Sequence, residues 1–276
     1  MLCSHATGVV MYTFKKLGWI GRMKTIERID ESNINRIELI GNSCNDVEFK
    51  IKTLIDFMFS GNYNKEMFDF FDIRGTILLH GIPGVGKTSI AKNVMKYVID
   101  KYGVESYIIE PSDIIVSGLG ETVKNLSDSL KKFEELEAGI LFIDEIDKFC
   151  VNRNDEDELS EMKRLLIELM SFIDKLSVSS NKIMICCTNV FEQMDSAIQR
   201  RFSICEKIMK PSSAEKKDFF RLCYQKTGSS LNVEINDSFI STFETMDSIK
   251  AYFRKKILTN KLITIENDIE SYSIIK

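Results

Sequence analysis

The stretch GIPGVGKTS, residues 81–89, limits the fold of this chain more than any other feature. It fits the pattern G-x-x-x-x-G-K-[ST] through Gly81, Gly86, Lys87 and Thr88. Average residue frequencies produce such a string by accident in about one chain in a hundred of this length. An apolar run, TILLH, leads into it, and KTSIAKNVMKYVIDKYG follows with apolar residues at spacings of three and four. That order reads as strand, loop and helix. Glycines let successive backbone N–H groups wrap a phosphate, and the helix N-terminus adds partial positive charge. Residues Gly81, Ile82, Pro83, Gly84, Val85, Gly86, Lys87, Thr88 and Ser89 are therefore expected to form a nucleotide site. Lys87 would reach the β- and γ-phosphates, and Thr88 would offer its hydroxyl to Mg2+.

The rest of the chain repeats the same alternation. SYIIE (106–110), GILFID (139–144), KIMICCT (182–188) and ICEKIM (204–209) are short apolar runs, nearly continuous as befits strands buried on both faces. Helical spacing marks DVEFKIKTLIDFMFSGN, ETVKNLSDSLKKFEELEAG and ELSEMKRLLIELMSFIDKL. The fold class expected is α/β, a parallel sheet flanked by helices. After Pro211 only helical patterns follow, in SSAEKKDFFRLCYQKTG, NDSFISTFETM and SIKAYFRKKILTN. The expected organisation is an N-terminal segment (1–40), an α/β domain (41–210) and a small helical domain with a tail (211–276).

Binding a nucleotide is not hydrolysing it, and hydrolysis needs carboxylates at the right edge of the sheet. GILFIDEIDKF ends a buried strand with Asp144 and Glu145. Asp144 there can hold Mg2+ through a water, and Glu145 can orient and deprotonate the attacking water. Asp147 reads as a helix-start residue, where negative charge is favoured.

Other classes are poorly served by this sequence. Net charge is −4 and the pI is about 5.5, which argues mildly against a dedicated nucleic-acid binder. No apolar run reaches the roughly 18 residues of a membrane span, since Lys15 and Lys16 interrupt GVVMYTFKKLGWIG. Seven cysteines without a CxxC pair point to a reducing, cytoplasmic setting. The two histidines, His5 and His80, supply no triad or zinc site.

The strand ending CCTN places Thr188 and Asn189 at the same edge of the sheet as the carboxylates, and MDSAIQRRFS follows with Arg200 and Arg201. The order of phosphate loop, Asp-Glu, Asn, paired Arg and C-terminal helices resembles the AAA+ ATPases over roughly residues 40–258. The resemblance implies a P-loop NTPase fold with a helical lid, ATP and Mg2+ as cofactors, and a homo-oligomeric ring, with a hexamer as one expected size. It implies Asn189 as a first sensor of the γ-phosphate. Arg201 resembles the finger that enters a neighbouring subunit's site, with Arg200 beside it. Gly41, in IELIGNS, is similar to the segment that packs on adenine, and Lys250 takes the place of the lid's second sensor. Two departures matter. Threading relatives carry an aromatic in the loop after the second strand, where this chain has Gly118 and Leu119. Relatives also carry a further arginine after the pair, and RRFSICE has none, so the trans contact rests on Arg200 and Arg201.

The expected function is an ATPase that oligomerises and remodels a partner protein. Two alternatives stand beside it: an AAA+ ATPase acting on nucleic acid, and a nucleotide-gated switch without motor activity. The nucleic-acid reading lacks a helix-turn-helix or basic stripe, with YFRKKILTNK as the one basic cluster. Substrate choice is expected to come from a partner protein or from the N-terminal segment.

Overall fold

The computed structural model describes residues 26–29, 37, 39, 41–60, 64–116, 120–149, 156–176, 181–227 and 236–273. The elements run β1 (Glu27–Ile29), α1 (Asn42–Ser60), α2 (Lys65–Phe70), β2 (Thr76–His80), α3 (Lys87–Tyr102), β3 (Ser106–Ile109), α4 (Pro111–Ile114) and α5 (Glu121–Glu134). They continue β4 (Gly139–Ile143), α6 (Glu156–Lys175), β5 (Lys182–Thr188), α7 (Ser196–Gln199), β6 (Ile204–Lys207), α8 (Ser213–Lys226), α9 (Asp237–Ser241) and α10 (Met246–Ser273).

The strands form one sheet in the order β1-β3-β4-β5-β2-β6. All neighbours pair parallel except β1, which runs antiparallel to β3. The α/β class holds, with that one antiparallel edge added. Alternation along β2 explains why its run is apolar throughout. Ile77 and Leu79 pack with α1 and α3 on one face, and Leu78 packs with α5 and α6 on the other. The same alternation splits Cys186 and Cys187 between the two faces, so these neighbours cannot bridge. Gly75, just before β2, has no alternative, because a Cβ there would lie 2.4 Å from the Lys182 carbonyl oxygen.

A third cluster holds the C-terminal helices together, with Phe219, Phe220, Ile240, Ile249 and Phe253 buried. Helix α8 starts in a capping box between Ser212 and Glu215. The Glu215 carboxylate also accepts from the Asn42 N–H at 2.7 Å, tying α8 to the first turn of α1. These bonds lower the Glu215 pKa, the Ser212 N–H contributing most.

Several boundaries shift from the sequence reading. β6 stops at Lys207, two residues short of the run read from the sequence, although the Ile208 N–H still donates to the His80 carbonyl of β2 at 2.8 Å. Helix α10 runs on to Ser273, well past the Asn260 end read from the sequence. Residues 117–119, and with them Gly118 and Leu119, lie outside the described residues, as does Ile40.

Candidate active site

The site lies at the C-terminal ends of β2, β4 and β5, where the strand order places neighbouring carboxyl edges side by side. The loop after β2 turns through Gly81, Gly84 and Gly86, all at positive φ (143°, 78° and 110°), before α3 begins at Lys87. Beyond backbone freedom, Gly84 gives clearance, since a Cβ there would come within 2.8 Å of the Thr245 hydroxyl.

Lys87 is buried and donates from Nζ to three acceptors: the Gly81 carbonyl at 2.8 Å, the Ile82 carbonyl at 3.0 Å and Asn189 Oδ1 at 2.7 Å. Burial lowers its pKa, opposed by Cys187 and the nearby carboxylates. Thr88 donates its hydroxyl to Asp144 Oδ2 at 2.9 Å, so both expected metal ligands already meet. Two hard oxygen donors on one wall suit Mg2+, which keeps several waters and takes phosphate oxygens for the rest of its shell. Among the described residues no group of three or more His, Cys, Asp or Glu is placed to hold a metal without such help.

Glu145 follows in an unusual backbone conformation, φ 51°. For a residue with a Cβ this costs about 1–2 kcal/mol. The turn brings its carboxylate to Lys148 Nζ, 2.5 Å away, and that bond raises the Lys148 pKa. Asp147, read as a helix-start residue, does lie in the first turn of a short 3-10 helix, Ile146–Phe149. It also accepts the Thr188 hydroxyl at 2.7 Å, and Thr188 in turn accepts from the Val190 N–H at 3.1 Å. This partly buried link ties the end of β5, and therefore Asn189, to the turn after β4 that carries Asp144.

These groups share a cleft of about 360 Å³ in which Pro83, Gly84, Gly86, Lys87, Thr88, Ser89, Asp144, Glu145 and Asn189 all take part. Its far wall is the start of α10, through Met246, Asp247 and Lys250. Lys250 lines this wall, with its ammonium 5.6 Å over the Phe219 ring. Met246 and Asp247 were not foreseen, and only the 3.6-residue period from Lys250 would have pointed to them. Gly41 is elsewhere, against the Glu215 carboxylate at the junction of α1 and α8. His80, half-buried, stacks on Phe191 with ring centroids 4.0 Å apart, as a structural role requires.

The paired arginines follow α7 directly, with Arg200 at its C-cap. The Arg200 side chain donates from Nε to the Ser196 carbonyl at 3.1 Å. Arg201 is more engaged, with Nε 3.0 Å from both Asp174 oxygens and Nη1 2.8 Å from the Ala197 carbonyl. Neither lines the cleft of its own protomer.

Residues 77–210 match the family described as ATPase family associated with various cellular activities (AAA). Vacuolar protein sorting-associated protein 4 of Dictyostelium discoideum is 33% identical over 127 residues, 46% of this chain and 28% of that protein. Proteasome-activating nucleotidase 1 of Haloferax volcanii is 28% identical over 187 residues, 66% of this chain and 44% of that protein. The outer mitochondrial transmembrane helix translocase of Danio rerio is 32% identical over 164 residues, 58% of this chain and 44% of that protein. The chain therefore spans less than half the length of these relatives.

Proposed function

The chain belongs to the AAA+ ATPase superfamily, and from that premise we propose that it binds ATP with Mg2+, hydrolyses it, and uses the cycle to remodel a partner protein within a homo-oligomeric ring. The observation that carries the chemistry is the convergence of Lys87, Thr88, Asp144, Glu145 and Asn189 in one cleft. Lys87 and the backbone of the loop hold the β- and γ-phosphates, its ammonium exchanging the carbonyls of Gly81 and Ile82 for phosphate oxygens. Thr88 and Asp144 are the groups that would hold Mg2+, which neutralises charge on the phosphates. Glu145 takes a proton from the attacking water, and Asn189 orients that water from beside Lys87. Residues 41–210 act as the base and 211–276 as the lid, whose Lys250 approaches the nucleotide from the opposite wall.

Protein remodelling is favoured because two of the relatives are named for protein sorting and proteasome activation. The exposed arginines fit a site completed between protomers, with Arg201, and Arg200 beside it, reaching the neighbour's γ-phosphate. Among the described residues no helix is long and apolar enough to cross a membrane, and the buried thiols of Cys44, Cys186 and Cys187 support a reducing, cytoplasmic setting.

The test is ATP turnover by the Glu145→Gln chain. Removing a general base costs about 10²–10⁴ in rate, so turnover falls by at least about a hundredfold while ATP binding persists. Unchanged turnover removes Glu145 from the role of base.

A further inference from the structure

Two exposed patches of this molecule carry opposite charge around apolar side chains, and neither is used by the site above. The first is α2. Phe68 alone is buried there, while Met67, Phe70 and Phe71 are 44%, 82% and 66% exposed. Glu66 and Asp69 flank them. The second is the outer face of α10. Ile249 and Phe253 point into the helical cluster, and helical periodicity turns Arg254, Lys255 and Leu258 away from Phe253. Leu258 is 58% exposed, while Ile257, one turn on from Phe253 and at the edge of this face, is 36% exposed. Among the described residues, Glu66, Asp69, Arg254 and Lys255 make no ion pair. Exposure on both sides shows that the patches do not cover one another within a protomer.

We propose that they are the two halves of one contact between copies of this chain, with the outer face of α10 in one protomer lying against α2 of the next. This rests on the ring reading and names the surfaces that build the ring. The complementarity is twofold: acidic residues around aromatic side chains on α2, basic residues around aliphatic side chains on α10. Because the surfaces differ, the contact is heterologous, the kind that propagates head to tail and forms a ring where the rotation closes. Phe70 and Phe71 give it an apolar centre, while the rim charges set register and exclude wrong partners. A nucleic acid on Arg254 and Lys255 would leave the aromatic residues of α2 uncovered. It would also meet Ile257 and Leu258 where stacking platforms need aromatic rings.

The experiment is sedimentation velocity with ATP on the Glu145→Gln chain and three charge reversals made in it. One carries Glu66→Lys with Asp69→Lys, one Arg254→Glu with Lys255→Glu, and one all four. All four positions are exposed, and circular dichroism melts confirm that the variants fold. Each double reversal is expected to raise the assembly concentration by about tenfold or more, since it sets like charges together. The fourfold reversal is expected to restore assembly to within about threefold of the parent. Assembly that survives either double reversal, or that stays lost in the fourfold variant, overturns this contact alone. A parent chain that remains monomeric with ATP overturns the ring reading, and this contact with it.

Discussion

Arg201 and Asp174 form an ion pair within one protomer, Nε lying 3.0 Å from each carboxylate oxygen. Arg74 braces the same residue, donating from Nη1 to the Asp174 carbonyl at 3.0 Å. The guanidinium proposed to serve a neighbour is therefore held at home in the isolated chain. The pair is 32% and 47% exposed, so it is worth only about 0.2–1 kcal/mol in water. That is weak enough to be exchanged for a phosphate contact at a protomer boundary.

Asp174→Asn weakens this hold. The protein concentration giving half-maximal ATPase is expected to fall, by up to about fivefold for a pair of that strength. Specific activity measured across a dilution series checks it. A concentration that stays the same or rises shows that the pair does not compete with assembly.

Gly84→Ala tests how closely α10 approaches the phosphate loop. The added Cβ would meet Thr245 Oγ1 at 2.8 Å and Asp247 Cβ at 3.0 Å, at a position with φ 78°. The dissociation constant for ATP is expected to rise by about tenfold, the equivalent of about 1.4 kcal/mol. Titration with a fluorescent ATP analogue measures it, and unchanged affinity would mean that the α10 wall is not part of the bound site.

What was legible in the sequence followed from local pattern. β2 and β5 match their apolar runs to the residue, because strands buried on both faces leave no polar break to misplace. The phosphate loop was equally clear, since its chemistry is contiguous in the chain. What was missed is chemistry between distant residues. Asp147 looked like a helix start and is also the acceptor for Thr188, a relation that only the β4–β5 pairing creates. Glu215 accepts from the Asn42 N–H across 173 residues of chain, a contact that only the fold creates. β1 was illegible for another reason: three residues at an edge, mostly exposed, carry no periodicity.

His80 supplies a pH dependence. Burial, with Lys207 adding to it, lowers its pKa below the usual value of 6.5. The unfolded chain therefore binds the proton more readily than the folded one, and stability is lost as pH falls below about 6.5. His80→Phe keeps a ring against Phe191 and removes the proton. The difference in urea midpoint between about pH 7.5 and about pH 5.5 should shrink in this variant. A difference as large as in the unmodified chain would assign the acid sensitivity to other groups.

If a second protomer completes the ATP site, mixing two inactive subunits restores turnover. Chains carrying Arg200→Ala with Arg201→Ala keep Glu145 but have no finger, while Glu145→Gln chains keep the finger but have no base. Each alone should be nearly inactive. Mixed, they place an intact finger against an intact base at some boundaries, and ATPase activity is expected to reappear and peak at an intermediate ratio. No recovery at any ratio would contradict it.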